Sequence, residues 1–174
     1  MKIQLLKKLL LTATLLALAF GTTQIQAANA GAGATLPTIS PLPFQGLTAV
    51  QIEAAIEEYF ASIGSLDVQR YVSNFASDGV LEDPVGTPPV QGTQSLTAYF
   101  GGIIAPFSEI KPKVQDIIVC GNEAAVNWKL KLTTTTGKHI TTDGMGVFRF
   151  DQAGKLKTVQ EFWDLATFLQ QLQG

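Results

Sequence analysis

The chain has 174 residues, a formal charge of −2, 46% hydrophobic and 15% charged residues, one His and one Cys. That length, less its N-terminal leader, holds one domain with one core. The lone Cys excludes an intramolecular disulfide, His139 has no Cys or His partner at ligand spacing, and no basic patch invites nucleic acid or an anionic membrane.

Residues 1–30 read as a secretory signal peptide. Lys2, Lys7 and Lys8 form a basic start, and Leu9 to Phe20 is an uncharged apolar run, short for a bilayer span. Ala28-Asn29-Ala30 fits an A-x-A cleavage site. An uncleaved membrane anchor is the alternative. The expected location is therefore export, to the periplasm or beyond. Removing three lysines and no acid lowers the formal charge from −2 to −5. Residues 31–47, with Pro37, Pro41 and Pro43, show no helical or strand period and read as a tether. The folded domain is expected over 48–174.

Thr48 with Gln51 three residues on fits a capping box. Ile52, Ile56, Tyr59, Phe60 and Ile63 then share one helical face, and Gly64 is a natural stop. Ser65 is positioned to cap a second helix with Val68, Tyr71, Val72 and Phe75 on its apolar face. A turn at Asp78-Gly79 leads to a short strand, Val80 to Asp83. Alternate strand residues share a face, so Asp83 lies with Leu81 and Glu82 with Val80. Thr93 is expected to cap a third helix carrying Leu96, Tyr99, Phe100 and Ile103.

After Pro106 the period becomes 2. Strands are predicted over Val114–Cys120, 124–134, His139–Phe150 and Lys155–Trp163, with a short helix near Leu165–Leu172. Ala124, Val126, Trp128, Leu130 and Leu132 face one way, and Asn127, Lys129 and Lys131 the other. Cys120 reads as a small core residue, Met145 as core or pocket wall, and His139 as a solvated hairpin residue. Helices followed by long antiparallel strands define an α+β fold. The simplest arrangement is a cone-shaped α+β roll, a curved, mostly antiparallel sheet wrapped around three N-terminal helices. Such a cone encloses an apolar cavity suited to a small molecule. No phosphate-binding glycine loop or nucleophile elbow is present, and neither a cofactor nor a metal is expected.

Several short runs carry a resemblance. Tyr59, Glu82-Asp83-Pro84-Val85-Gly86, Gly92-Thr93, Asn122-Glu123-Ala124-Ala125, Phe148-Arg149-Phe150 and Ala153-Gly154-Lys155 resemble the bacterial ketosteroid isomerases. That family lies in the nuclear transport factor 2-like superfamily, with the SnoaL-like cyclases. The resemblance covers nearly all of residues 50–165. It implies that Asp83 is a general base moving a proton between two carbons. It implies that Tyr59 donates to the oxyanion and that Trp163 lines the pocket. A second donor, a protonated Asp, is expected two residues before Phe148, where this chain has Gly146. Asp143 lies an odd number of residues away, on the opposite strand face. A tyrosine supporting Tyr59 is expected at Phe100, with Tyr99 next to it out of register. Trp163, Phe100, Tyr99, Phe148, Met145 and Trp128 complete the expected substrate-binding wall.

Read without the resemblance, Asp83 is a turn residue before Pro84, Tyr59 a core tyrosine, and Trp163 and Trp128 plain packing. Two functional readings follow. One is an exported isomerase, lyase or cyclase-like enzyme acting on a small hydrophobic carbonyl compound. The other is a non-catalytic carotenoid or isoprenoid binder, since the proline-rich lead-in is distantly similar to the carotenoid-binding domain of the orange carotenoid proteins. A homodimer is a further expectation, because superfamily members pair through the outer face of the sheet.

Overall fold

The computed structural model describes residues 46–173. The expected signal peptide and residues 31–45 of the expected tether lie outside the described residues. Among those described, no helix is long and apolar enough to cross a membrane.

Helix α1 (Ala49–Ser65) begins at the predicted capping box. Thr48 Oγ1 accepts from Gln51 N–H at 3.3 Å, and Gln51 Oε1 accepts from Thr48 N–H at 2.9 Å. Each end of the box thus satisfies a backbone donor that the first helical turn leaves free. The helix runs past Gly64 and ends at Leu66, whose left-handed backbone (φ 56°) returns its N–H to Ile63. Gly64 serves packing instead: a Cβ there would lie 3.0 Å from Pro112 Cδ. Helix α2 (Val68–Val72) is one turn long, and Asp67, not Ser65, caps it through Gln69 and Arg70 N–H.

Strand β1 (Phe75–Glu82) starts earlier than predicted, with Asp78-Gly79 inside it. The pairing register slips between Phe75 and Val80, and a Cβ on Gly79 would fall 2.8 Å from Leu156 O. A bulge and a close backbone approach, rather than a chain reversal, explain that glycine. Strand β2 (Val90–Gln91) precedes helix α3 (Gly92–Ile104), whose cap residue is Gln91 instead of Thr93. The long strands follow: β3 (Phe107–Cys120), β4 (Glu123–Thr134), β5 (His139–Phe150) and β6 (Leu156–Trp163). Helix α4 (Leu165–Gln173) closes the described chain.

The six strands form one open, curved sheet in the order β2-β1-β6-β5-β4-β3, antiparallel except for the parallel β1–β6 pair. Helix α1 packs on β3 and α3 on β1. Ile52, Ile56, Tyr59 and Phe60 of α1 meet Val126 and Trp128 of β4, Phe148 of β5 and Val159 of β6 in the main core. A fully buried side chain of this size stabilises the fold by about 1.5–3 kcal/mol. Helix α1 is thus held by packing more than by its own propensity. A second cluster, Phe107, Ile110, Leu132 and Ile140, receives Phe168 and Leu172 from α4.

Cys120 is exposed, against the expectation of a core position. Ile117 and Val119 pack on the core, so strand alternation turns Cys120 and the 70% exposed Ile118 outward. His139 is exposed at the hairpin, as predicted, with Nδ1 3.2 Å from Thr133 Oγ1.

Candidate active site

Between the helices and the concave face of the sheet lies a cavity of about 540 Å³. Its walls include Phe60, Ile63, Leu130 and Leu132, and α4 adds Leu165, Phe168 and Leu172 at one end. The ionisable side chains on it are Tyr59, Tyr71, Asp83, Tyr99 and Glu161; the described lining contains no Lys, Arg or His. Among the described residues, no group of three His, Cys, Asp or Glu side chains is arranged to hold a metal.

Asp83 reaches the cavity because Leu81, the last inward residue of β1, is fully buried and alternation carries the next inward position to residue 83, just past the strand. The turn behind it is anchored on β6, where Val85 N–H donates to Glu161 O at 2.7 Å. Trp163 Nε1 donates to Asp83 Oδ1 at 2.5 Å, and the Tyr99 hydroxyl donates to Oδ2 at 3.1 Å. Tyr99 also lies 3.0 Å from the Asp83 carbonyl oxygen. Loss of water around the carboxylate raises the Asp83 pKa, while these two donors pull it back. The result is an oriented carboxylate, a stronger base than one in water.

Tyr59, 2% exposed on α1, has its hydroxyl 3.4 Å from that of Tyr71 and donates to Glu161 Oε1 at 3.5 Å. The Tyr71 ring stacks on Phe100 with centroids 3.8 Å apart. Burial raises the pKa of both tyrosines well above the ordinary value, so both remain hydrogen-bond donors. Glu161 is 3% exposed, and Trp128 Nε1 donates to its Oε2 at 2.7 Å. Burial first, and the neighbouring Asp83 charge second, push the Glu161 pKa up to about 8.

Two glycines on β5 make this arrangement possible. Trp128 is paired with Gly144, and Glu161 with Gly146, so the indole comes from the strand on one side and the carboxyl from the other. A Cβ on Gly144 would meet Trp128 Cζ2 at 2.7 Å, and one on Gly146 would meet Glu161 Oε2 at 2.6 Å. The missing side chains leave the room in which acid and indole join across β5.

Of the residues marked in the sequence, Asp83, Tyr59, Trp163, Phe100, Tyr99 and Trp128 all line the cavity. Two expectations are corrected. Met145 lies between inward Gly144 and Gly146, so alternation points it outward, where it is 52% exposed. Phe148 is fully buried but lies in the core against Tyr59, ring centroids 5.2 Å apart, and leans into the space that Gly146 leaves. Support for Tyr59 comes from Tyr71 instead of position 100. Asp143 is exposed on the outer face, opposite Lys129, in keeping with its odd spacing. Sequence reasoning missed Glu161 and Tyr71. Glu161 sits two residues before Trp163 on one strand, so period 2 places it on the pocket face; that signal was present in the sequence.

An open sheet curled over helices, with buried acids at one end of an apolar cavity, defines a cone-shaped roll of the nuclear transport factor 2-like kind. The chain belongs to the SnoaL-like domain family, whose pattern matches residues 56–159. A Steroid Delta-isomerase from Nocardioides simplex is 22% identical over 114 residues, spanning 65% of this chain and 89% of that enzyme. Among solved structures, the epoxide hydrolase/cyclase-like enzyme SalBIII, described for a role in pyran ring formation in the polyether salinomycin, aligns with a TM-score of 0.61. The identity is 21%, covering 67% of this chain and 92% of that one. That likeness concerns the fold.

Proposed function

We propose that this protein is an exported small-molecule enzyme that moves a proton next to a carbonyl inside an apolar pocket, with Asp83 as the base and Tyr59 as a donor to the carbonyl oxygen. The observation that carries the reading is the opening of both side chains onto one cavity with no cationic lining. Asp83 takes a proton from the carbon beside the carbonyl. The C–H electron pair becomes a C=C bond, and the carbonyl π pair moves onto oxygen, where the Tyr59 hydroxyl meets it. Asp83 then returns the same proton to a second carbon, so nothing is gained or lost overall. The Trp163 and Tyr99 hydrogen bonds hold the carboxylate in place through both transfers.

The isomerase relative and the size of the cavity support an apolar carbonyl substrate, and a 3-oxo-Δ5-steroid is the first compound to assay. Asp83→Asn is expected to abolish turnover while leaving the circular dichroism spectrum and thermal midpoint close to those of the parent. Unchanged turnover in that variant would remove Asp83 from the mechanism.

The apolar end formed by α4 favours a second reading, a hydrophobic-ligand carrier for a carotenoid or other isoprenoid. Mass spectrometry of small molecules released from the native protein separates the two: a stoichiometric isoprenoid together with absent turnover favours the carrier. The proposed export rests on the signal-peptide pattern of residues 1–30, and a mature N-terminus beginning near residue 31 is its test.

A further inference from the structure

Two carboxyl groups face one cavity, and the proposed reaction uses only one of them. The described lining holds no Lys, Arg or His to balance a second negative charge. In a medium of low dielectric, two like charges on one cavity with no cation to offset them do not both persist, and one carboxyl keeps its proton. The hydrogen bonds decide which. Asp83 accepts from Trp163 at 2.5 Å and from Tyr99 at 3.1 Å. Glu161 accepts one close bond, from Trp128 at 2.7 Å, and a long one of 3.5 Å from Tyr59. Asp is also intrinsically the stronger acid of the two. The charge therefore rests on Asp83 and the proton on Glu161.

The position of that proton follows from the indole. Trp128 N–H occupies Glu161 Oε2 as an acceptor, which leaves the proton on Oε1, the oxygen nearer Tyr59. Two O–H groups 3.5 Å apart suit one acceptor oxygen placed between them.

We propose that Glu161 is a second acid of this site, a neutral hydrogen-bond donor seated in the space that Gly146 vacates on β5, and that with Tyr59 it receives one acceptor oxygen of an uncharged, apolar ligand. This inference deepens the acid–base reading above and rests on the same cavity. Glu161 loses no proton in the reaction; Oε1–H donates to the ligand oxygen as charge develops there. The raised Glu161 pKa agrees with this protonation state. The groups facing Glu161 are Asp83 just after β1, Tyr59 on α1, Tyr71 on α2, Tyr99 on α3 and Trp128 on β4, and none is a cation. The ligand class follows from the same balance. A carboxylate or phosphate would bring a second charge beside Asp83 with nothing to offset it. A ketone, ester or epoxide would not.

Two measurements on the full domain test this without reading turnover. Difference infrared spectra between pH 6 and pH 10 are expected to show a carboxylic-acid carbonyl band lost with a midpoint near 8. The band should be missing in Glu161→Gln and kept in Asp83→Asn. Its absence from the parent, its survival in Glu161→Gln, or its loss in Asp83→Asn alone would overturn the assignment. The second measurement is binding of 2-acetonaphthone, a neutral ketone, against 2-naphthoate, an anion of similar size, followed by ligand fluorescence and the ketone carbonyl stretch. The ketone is expected to bind at least about 10-fold more tightly. Its stretch should be red-shifted in the parent and in Glu161→Gln, which keeps an N–H donor, and relaxed in Glu161→Leu. A ketone that fails to bind, equal binding of the anion, or an unshifted stretch would overturn the ligand class. Loss of turnover in Asp83→Asn bears on the base alone, so failure of either idea is read separately.

Discussion

Asp83 and Glu161 are both carboxyls in the same low-dielectric cavity, yet their neighbours give them opposite states. Trp163 is the stronger of the two donors that hold Asp83 charged against desolvation, Tyr99 being the other. Replacing it with Phe removes the N–H donor and raises the Asp83 pKa further. The acid limb of a kcat/KM against pH profile should therefore move to higher pH, and an unmoved limb would show that the indole does not tune the base. Glu161 gives a stability signature of its own. Unfolded, it titrates near ~4.3; folded, at about 8. Between those values the folded chain binds more protons than the unfolded one. The stability that this group contributes is complete below the lower value and is lost as pH rises toward the upper one. The limiting slope is about 1.4 kcal/mol per pH unit. Urea titrations of Glu161→Gln across pH 5–8.5 should show that slope flattened.

Strand β5 shows how an element shapes a site through what it omits. Gly144 and Gly146 occupy two successive inward positions, and the side chains of β4 and β6 meet over them. Adding one methyl at Gly146 drives a Cβ against Phe148 and Glu161 Oε2. Overpacking of this kind costs about 1–3 kcal/mol. Gly146→Ala should lower the unfolding midpoint in urea by that amount, and displacement of Glu161 should weaken ketone binding in the same variant. Helix α4 works by addition. Gln171 clasps both backbone polar groups of Thr141 at 3.1 Å, while Phe168 packs on Trp163 with ring centroids 5.4 Å apart. Phe168→Ala should weaken ketone binding and loosen the ring that positions the Asp83 donor, with little change in the far-ultraviolet dichroism.

For the molecule as a whole, the outer sheet face carries Ile118, Met145 and Phe162, 70%, 52% and 47% exposed. Met145 and Phe162 are cross-strand partners, so their side chains form one patch. Apolar patches of this sort mark contacts with other chains. A homodimer through this face is expected to appear as concentration-dependent elution in size exclusion, and Met145→Glu with Phe162→Lys should return it to a monomer. A monomer at every concentration would leave the patch without that role.

The helical and strand periods made the α+β class legible, and the Thr48–Gln51 box placed the start of α1 to the residue. Helical spacing turned Tyr59 inward and strand alternation put Asp83 on the face of Leu81, because facing direction is fixed locally; their roles, and the place of Trp163 in the pocket, came from the resemblance to the ketosteroid isomerases. Tyr71 was read only as an apolar-face residue of the second helix, and Glu161 and the meaning of Gly146 were not read, although alternation from Trp163 gave the direction of Glu161. What only the tertiary structure decided is which strands are neighbours. The order β6-β5-β4 brings an acid and an indole, 33 residues apart in sequence, across a glycine gap. Facing direction is a property of the local backbone, whereas the protonation state of a buried acid depends on every group the fold gathers around it.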